Sequence, residues 1–411
     1  MNPVGTHPVE SIRRCFPFIK NATTPIHYLD SAASSQKPEC VIDRIRQCYE
    51  MEYANVHRGV YRLSEGATVA YEATRDLIAN FLGGVSRQEV IFTSGTTSAI
   101  NLISRTWGEE NIGEGDEILV PVSEHHSNIV PWQLLAERKK ARVRFIPLTD
   151  QLIPDLEAAK SMVSEKTKII GFAHVSNVMG LIYPVAELVA LAKQVGAVTV
   201  VDGAQAVPHF QVDVKELGCD FYCFSGHKML GPSGVGVLWG RERLLDAMPP
   251  FMGGGDMIAS VTTEGSTWNA LPYKFEAGTP AIAPVTALGS AVSFLQKLDL
   301  NAALEHDRQL SSKLTDAIKD CPGIRLFTNG QAPSVGVVTF YHEKIHPHDM
   351  AAIADSKSVC VRAGHHCAQP FMNWLGVPAT TRISPYLYNN AEDVDKFIEA
   401  FQEANTLFNQ E

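Results

Sequence analysis

The sequence predicts an α/β protein with a mostly parallel sheet covered by helices on both faces. Three observations lead to this class. Short apolar runs alternate with helical patterns from about residue 26 to residue 238, the runs are rich in Val and Ile, and the pattern changes near residues 290–300. Continuous apolar strands are typical of parallel sheets, because crossover helices bury both faces. Beyond the change we expect a smaller α+β domain.

The predicted strands of the first region are short, and most are followed by a helical segment. The strands are 89–92, 117–120, 143–146, 168–174, 198–201, 221–224 and 235–238, and the helices among them are 98–106, 129–139, 156–163 and 186–195. An earlier amphipathic helix over 68–82 ends at Gly83-Gly84, which is a C-cap signal.

The last third of the chain has a different pattern. Helices over 304–320 and 394–407 flank two predicted strands, 336–340 and 360–362. We therefore expect a large domain over 21–295 and a small domain over 296–411. Residues 1–20 are expected to pack with the small domain.

Composition excludes several classes of partner. The chain has 411 residues, 45% of them hydrophobic, and a net charge of −10 with no long basic run, so nucleic acid and anionic membranes are not expected partners. No apolar run reaches the roughly 18–20 residues of a membrane span, and the first residues lack the apolar core of a signal peptide. Eight scattered cysteines without a CxxC pair indicate reduced thiols in a cytoplasmic protein.

Two polar side chains follow neighbouring buried strands. Asp202 comes after the strand 198–201, and Lys228 follows the next strand, 26 residues further on. Pyridoxal phosphate (PLP) chemistry needs this pair: a lysine holds the cofactor as a Schiff base, and a carboxylate keeps the pyridine nitrogen protonated so that the ring accepts electrons. The sequence therefore predicts PLP on Lys228.

Three further segments fit a cofactor site around that lysine. Thr96 and Thr97 lie where a strand meets a helix, and backbone N–H groups at a helix start bind phosphate. Ser225 and His227, beside Lys228, can bond the same phosphate. His125 follows the carboxyl end of a strand, where ligands of α/β proteins bind, and its ring can stack on a planar cofactor. Each motif alone is more often an N-cap or a surface loop; their combination favours the cofactor site.

The ordered motifs resemble the SufS-type (group II) cysteine desulfurases, which are fold-type I PLP-dependent enzymes of the class V aminotransferase family. The segments that carry the resemblance are YLDSAASSQKP (28–38), NVHRGVYRLS (55–64), SGTTSAINL (94–102), EHHSNIVPW (124–132), HVSNVMG (174–180), VDGAQAVPH (201–209), FSGHKMLGPSGVGVLWG (224–240), FEAGTP (275–280) and VRAGHHCAQP (361–370). The short RAGHHC segment is similar to group II rather than group I. The resemblance implies the fold of a PLP-dependent transferase.

The resemblance also implies a role for each matching residue. Lys228 would carry the cofactor, with Asp202 on the pyridine nitrogen, Gln205 on the phenolic oxygen and His125 on the ring face. The phosphate would be held by Thr96, Thr97, Ser225 and His227, together with Thr279 from the other subunit, which implies a homodimer with shared sites. The substrate would be bound by Asn177, Arg382, His57 and Arg362, and Cys367 would accept the sulfur.

The implied reaction converts L-cysteine to L-alanine and leaves a persulfide on Cys367, from which sulfur passes to an acceptor for iron–sulfur cluster assembly. Residue chemistry agrees with this. Cys367 follows two histidines and lies near Arg362, and such neighbours favour the nucleophilic thiolate. Arg382 suits a substrate carboxylate, because the planar guanidinium binds it bidentately.

Histidines near the C-terminus allow two interpretations. His346-Pro347-His348-Asp349 and His365-His366-Cys367 contain zinc-ligand residues, but their spacing is not that of a usual zinc site, so no resident metal is expected. The resemblance instead relates the HPHD segment to enzymes that pass sulfur to zinc-containing SufU-type acceptors, with His348 contacting the acceptor. A SufE-type acceptor is the alternative.

Two other enzyme classes remain open from sequence. A selenocysteine lyase uses the same groups, and another class V enzyme, an aminotransferase or epimerase, needs no sulfur-accepting thiol. Pro385, soon after Arg382, is a departure from the family pattern that affects the local backbone.

Overall fold

The computed structural model describes residues 8–328 and 332–409. Its strands, in chain order, are β1 (His27–Tyr28), β2 (Val90–Thr93), β3 (Glu117–Pro121), β4 (Arg142–Ile146), β5 (Thr167–Ala173), β6 (Val198–Asp202), β7 (Phe221–Ser225), β8 (Gly236–Gly240), β9 (Ile258–Val261), β10 (Ser266–Trp268), β11 (Ile324–Leu326), β12 (Val338–His342), β13 (Val359–Cys360), β14 (Arg362–Gly364) and β15 (Thr380–Ile383).

The helices, in the same order, are α1 (Val9–Arg13), α2 (Pro17–Lys20), α3 (Glu39–Gln47), α4 (Arg62–Phe81), α5 (Thr96–Ile103), α6 (Glu109–Asn111), α7 (Val130–Lys139), α8 (Leu156–Met162), α9 (Val185–Gln194), α10 (Val214–Leu217), α11 (Glu242–Ala247), α12 (Ile282–Gln296), α13 (Leu300–Ile318), α14 (Pro347–Ser356), α15 (Gln369–Leu375) and α16 (Ala391–Asn409).

A seven-stranded sheet, counted over the described residues, has the order β2-β8-β7-β6-β5-β3-β4. Only β8 runs antiparallel to its neighbours, so β2 points the same way as β3 to β7. Side chains alternate across the sheet: Ile118 and Val120 pack into one buried cluster and Leu119 into another. The predicted mostly parallel sheet with both faces covered is therefore confirmed.

A four-stranded antiparallel sheet, β11-β12-β15-β14, lies in the last third of the described chain. Its core joins Val338 and Phe340 of β12 to Leu314 of α13 and to Phe397 and Phe401 of α16. This is the α+β region that the sequence predicts, although its division from the large domain near residue 295 stays a prediction.

The N-terminal segment contacts this region. β1 pairs in parallel with β13, and the Arg13 guanidinium binds Asp393 of α16 at 2.7 Å. Phe16 is fully buried, with its ring 4.8 Å from that of Tyr388. These contacts bring residues near both ends of the chain together.

Element boundaries show where local patterns fail. Helix α4 begins at Arg62, six residues before the predicted start. Its first turns are mostly exposed and have no apolar periodicity, so the sequence pattern did not reveal them. The predicted strand 360–362 is interrupted at Val361, so Val359–Cys360 pairs with β1 and Arg362–Gly364 with β15. The hairpin β9–β10 and the strands β11 and β15 were not predicted, since three or four residues carry little periodic signal. No helix in the described part of the chain has both the length and the apolarity to cross a bilayer.

Candidate active site

The carboxyl ends of five strands that point the same way meet at one edge of the large sheet. The segments after β2, β3, β5, β6 and β7 begin there, and this is where α/β proteins bind ligands. A cavity of about 180 Å³ opens at this edge. Twelve of the predicted site residues line it: Thr96, Thr97, His125, Asn177, Asp202, Gln205, Ser225, His227, Lys228, Arg362, Cys367 and Arg382.

Asp202 ends one strand of the large sheet, and Lys228 follows the adjacent parallel strand. Asp202 ends β6, whose partner in register on β7 is Cys223, and Lys228 ends the short 3₁₀ turn that follows β7. Burial lowers the pKa of Lys228 to about 8, and the neighbouring Asp202 carboxylate opposes that shift. Burial also raises the pKa of Asp202, which is counteracted by the charge of Lys228 and by the N–H of Ala204, 2.9 Å from Oδ1. The lysine is therefore neutral more often near neutral pH than an exposed lysine, although the charged form still predominates at pH 7.

The start of α5 lies at the cavity, where the sequence predicts phosphate binding. The Thr96 N–H donates to Ser225 Oγ at 2.9 Å, and the two hydroxyls lie 2.8 Å apart. Gly95 precedes the helix with φ 147°, and a Cβ on Gly236 would lie 2.5 Å from its Cα. Glycine at both positions lets the loop lie directly on β8, which places the start of the helix at the cavity.

His125 faces the cavity as a neutral ring. Its Nδ1 accepts the Ser127 N–H at 3.0 Å, so the ring proton is on Nε2. Burial, aided by the charge of Lys228, lowers the pKa of His125 to about 3. A neutral, flat ring at this position fits the predicted stacking on a cofactor.

Glu124, the neighbour of His125 in sequence, is a buried residue that the sequence reasoning missed. It is completely buried; its carboxylate accepts Asn128 Nδ2 at 2.7 Å and the Ala173 N–H at 2.8 Å. Ala173 in turn is the register partner of Asp202 on β6. Burial raises the pKa of Glu124 to about 8. No sequence signal distinguished this glutamate, because its burial depends on packing between strands.

Arg382 reaches the cavity from β15. It is 2% exposed; Nη1 donates to the Asn177 carbonyl at 2.7 Å, and Nη2 binds Asp30 Oδ1 at 3.0 Å. Its Nε is buried and has no hydrogen-bond partner among the described residues. A buried guanidinium N–H without a partner is costly, so the site fits an added anionic group.

Cys367 lies on a loop with an unusual backbone. His366 and Cys367 have φ of 50° and 56°, both left-handed. Three bonds hold this turn: the Cys367 carbonyl accepts the His126 N–H at 2.7 Å, the His366 carbonyl accepts Asn177 Nδ2 at 2.7 Å, and His366 Nε2 lies 2.9 Å from Thr380 Oγ1. The Cys367 side chain remains exposed while lining the cavity. His366 and Asp30 are further site residues that the sequence reasoning did not single out.

Three predicted residues lie outside this cavity. Thr279 is exposed, His57 is bonded to Glu72 at 2.9 Å, and His348 is exposed in the first turn of α14. Their predicted roles are not tested by the geometry of one chain. Within residues 8–328 and 332–409, no three His, Cys, Asp or Glu side chains are placed to hold a metal ion.

The residues fit PLP. A partly neutral lysine, a buried carboxylate on the adjacent strand, a helix start with hydroxyls and a flat neutral ring surround one cavity, and an arginine N–H there has no partner. Fold and cavity together define a PLP-dependent enzyme.

Comparisons with known proteins agree. The model of the aminotransferase class-V family matches residues 27–397. A probable cysteine desulfurase of Halalkalibacterium halodurans is 45% identical over 97% of this chain and 98% of its own, and a cysteine desulfurase of Klebsiella pneumoniae is 45% identical over 98% and 99%. The solved cysteine desulfurase CsdA of Escherichia coli superposes with a TM-score of 0.91 at 37% identity, over 97% of this chain and 98% of that one. The chain belongs to the class-V aminotransferase family of PLP-dependent enzymes, and the relatives it matches at this identity are cysteine desulfurases.

Proposed function

We propose that this chain is a cysteine desulfurase that converts L-cysteine to L-alanine in the cytoplasm and places the released sulfur on Cys367 as a persulfide. The sulfur then passes to an acceptor protein for iron–sulfur cluster assembly. One observation carries the proposal: an exposed cysteine lines the same cavity as the candidate cofactor lysine and a buried arginine.

Arg382 would bind the substrate carboxylate. Its Nε is buried and has no hydrogen-bond partner among the described residues. Because Nη1 and Nη2 already bind Asn177 and Asp30, the guanidinium is oriented before the substrate arrives. Such preorganisation reduces the cost of ordering side chains on binding. Arg362 adds a second positive charge at the cavity wall.

Lys228 and Asp202 would manage the proton chemistry. PLP, when bound, supplies an electron sink for charge that develops at the substrate Cα. Asp202 would hold a proton on the pyridine nitrogen at the cavity floor. Lys228, with its pKa near 8, can accept the Cα proton as a neutral amine at physiological pH.

Cys367 would complete the reaction as a thiolate. Its Sγ attacks the sulfur of the substrate, an S–S bond forms, and the Cβ–S bond breaks. The electron pair of that bond stays with Cβ, which takes a proton to become the methyl group of alanine. One cysteine and one thiol thus give one alanine and one persulfide, with no external oxidant.

Mass spectrometry of the protein after cysteine addition tests this. We expect one additional sulfur atom on the peptide that contains Cys367, and alanine release that depends on that thiol. Cys321→Ala, which removes a half-buried thiol of the same region, is the matched control and should behave as wild type. Unimpaired cysteine turnover by Cys367→Ala would favour an aminotransferase-like enzyme. Alanine formed from selenocysteine but not from cysteine would favour a selenocysteine lyase.

For the acceptor we favour a zinc-containing SufU-type protein over a SufE-type one. His346 Nδ1 accepts the His348 N–H at 3.2 Å as an N-cap, which leaves the His348 ring exposed at the start of α14. Helix α14 packs against β14, the strand that leads into the Cys367 loop. His348→Ala should slow persulfide transfer to a SufU-type acceptor, whereas Lys344→Ala, an exposed neighbour, should not. Equal rates would remove His348 from the proposal.

A homodimer with shared sites completes the proposal. Thr279 is exposed and lies outside the cavity of its own chain, as a residue that serves a second copy must. Large apolar side chains are exposed in the loop before α4, where Val60 is 96% and Tyr61 53% exposed. Neighbouring exposed apolar side chains are a common feature of protein–protein interfaces, which supports a dimer contact here. Light scattering should give twice the chain mass.

A further inference from the structure

A buried ion cluster lies outside the cavity, centred on Arg75 of α4. Arg75 is completely buried between two carboxylates. Its Nη1 and Nη2 bind Glu276 at 2.6 and 2.9 Å, and its Nε binds Glu72 Oε2 at 3.0 Å. The guanidinium also lies 4.5 Å from the ring centroid of Phe92. One cation therefore joins two acidic side chains that are 204 residues apart in sequence.

Glu72 belongs to a face of α4 that holds the loop of residues 55–61. Ser64, Thr68 and Glu72 are spaced four residues apart and so share one face. The Ser64 hydroxyl donates to the Asn55 carbonyl at 2.7 Å, Thr68 Oγ1 accepts the His57 N–H at 2.9 Å, and Glu72 binds His57 Nε2 at 2.9 Å. His57 has φ 70°, a conformation that non-glycine residues adopt only when their surroundings enforce it.

Glu276 fixes the segment that leads to Thr279. Besides Arg75, its carboxylate accepts the Phe92 N–H at 2.8 Å and the Tyr71 hydroxyl at 3.2 Å. Thr279 follows three residues later and is exposed. The cluster thus ties the His57 loop and the 276–280 segment to the same turn of α4.

Stability alone is a weak explanation for this cluster. A buried ion pair often stabilises a fold no more than apolar residues of the same size, and its best attested use is to fix register. The segments it fixes are exposed at their tips, next to the apolar side chains of Val60, Tyr61 and Leu63. Neither His57 nor Thr279 lines the cavity of its own chain. This arrangement fits segments that are held in place for a second copy of the chain.

We propose that Glu72 and Arg75 are positioning residues that hold the His57 loop and the 276–280 segment in the geometry needed at the active site of the partner copy. The inference rests on the shared-site homodimer of the proposed function. It adds the physical link between the two segments, and it assigns His57 to the partner's site rather than its own.

Glu72→Gln is the decisive substitution, because it removes the charge that binds His57 but leaves the Arg75–Glu276 pair and the side-chain volume. We expect kcat/KM for cysteine to fall about tenfold or more, since small displacements of positioning groups have such effects. Asp76→Asn is the matched control: Asp76 lies one turn along α4 and pairs with Arg87 at the surface. That variant should stay within about twofold of wild type, as surface pairs contribute little.

Mixed dimers show which site Glu72 serves. The first pairs a Glu72→Gln chain with a Lys228→Ala chain, so that the one competent lysine is served by the partner's intact Glu72. The second pairs a wild-type chain with a chain that carries both substitutions. If Glu72 acts on the active site of the partner chain, the first dimer should have the wild-type kcat/KM per competent lysine. The second dimer should then have the kcat/KM of the Glu72→Gln variant. The reverse pattern, which is action within one chain, would overturn the proposal.

Two measurements keep the test decisive. Thr68→Val removes the acceptor of the His57 N–H together with the bond that the same hydroxyl donates to the Ser64 carbonyl within α4, and it should give the same mixed-dimer pattern if Glu72→Gln does not fold. Light scattering and wild-type alanine formation separate the possible failures: a monomeric protein would overturn this inference while leaving the desulfurase reaction intact, and a dimer without cysteine turnover would overturn the proposed function itself.

Discussion

Arg362 and Arg382 face each other directly across the antiparallel strands β14 and β15. Like charges in this position repel, and among the described residues Arg382 has an acidic partner, Asp30 at 3.0 Å, whereas none is found for Arg362. Both side chains line the cavity, where the Nε of Arg382 has no partner among the described residues. The strand pairing therefore creates a positive wall that an anionic substrate group would relieve.

Replacing Arg382 by lysine tests this wall. Lysine keeps the charge but loses the planar fork, so charge-assisted hydrogen bonds worth about 1.5–3 kcal/mol are weakened. We expect kcat/KM for cysteine to fall about ten- to a hundredfold, mainly through KM. Arg325→Lys, an exposed arginine of the same small sheet that does not line the cavity, should leave both parameters unchanged. An unchanged KM in Arg382→Lys would remove Arg382 from substrate binding.

The pKa of Lys228 predicts how cofactor loading depends on pH. An amine reacts with an aldehyde only when neutral, and burial lowers the pKa of Lys228 from its usual 10.5 to about 8. The rate at which apoprotein takes up PLP should therefore rise with pH and level off above about 8, rather than continue to rise towards 10.5. Stopped-flow absorbance would measure this.

Asp202→Asn is the control for that measurement. The Asp202 carboxylate raises the pKa of Lys228 against the effect of burial. Its removal should move the midpoint of loading to lower pH, and it should also reduce turnover at least about a hundredfold, as expected when one preorganised electrostatic partner is lost. A midpoint unchanged in this variant would contradict the coupling of the two residues.

His366 is expected to matter for sulfur transfer more than for substrate binding. Its ring bonds Thr380 on β15 and its carbonyl accepts from Asn177, so it fixes the left-handed turn that presents Cys367. We expect His366→Asn to lower the rate of persulfide formation about tenfold with KM nearly constant, because a misplaced nucleophile affects the chemical step. Thr380→Ser, which keeps the hydroxyl, should resemble wild type. A rise in KM alone would contradict this role.

His174 should make stability sensitive to acid. It is buried with Nδ1 2.9 Å from the Tyr222 hydroxyl, and burial lowers its pKa from 6.5 to about 4. Between those values the unfolded chain binds the proton more tightly, so the contribution of this residue to the free energy of unfolding falls as the pH falls, by about 3 kcal/mol in total. Chemical denaturation at pH 7 and pH 5 should show a smaller difference for His174→Gln than for wild type. An equal difference would mean that His174 is protonated in the fold.

The sequence by itself determined the alternation of strands and helices, and with it the placement of Asp202 and Lys228. Apolar runs mark where strands end, and the ends of adjacent parallel strands share one edge of a sheet. The start of α5, which is rich in glycine and hydroxyl residues, could be predicted as part of the site for the same reason, because it lies directly after a strand.

Only the tertiary structure decided which distant residues join that edge. Cys367 comes from the loop after β14, Arg382 from β15 and Asp30 from the N-terminal segment, and Glu124 becomes buried only because β3 and β5 pack side by side. Sequence periodicity reports the face on which a residue lies, but not the element that covers it. The bond between His57 and Glu72, which draws a predicted substrate residue away from its own cavity, depends on such packing and has no local sequence signature.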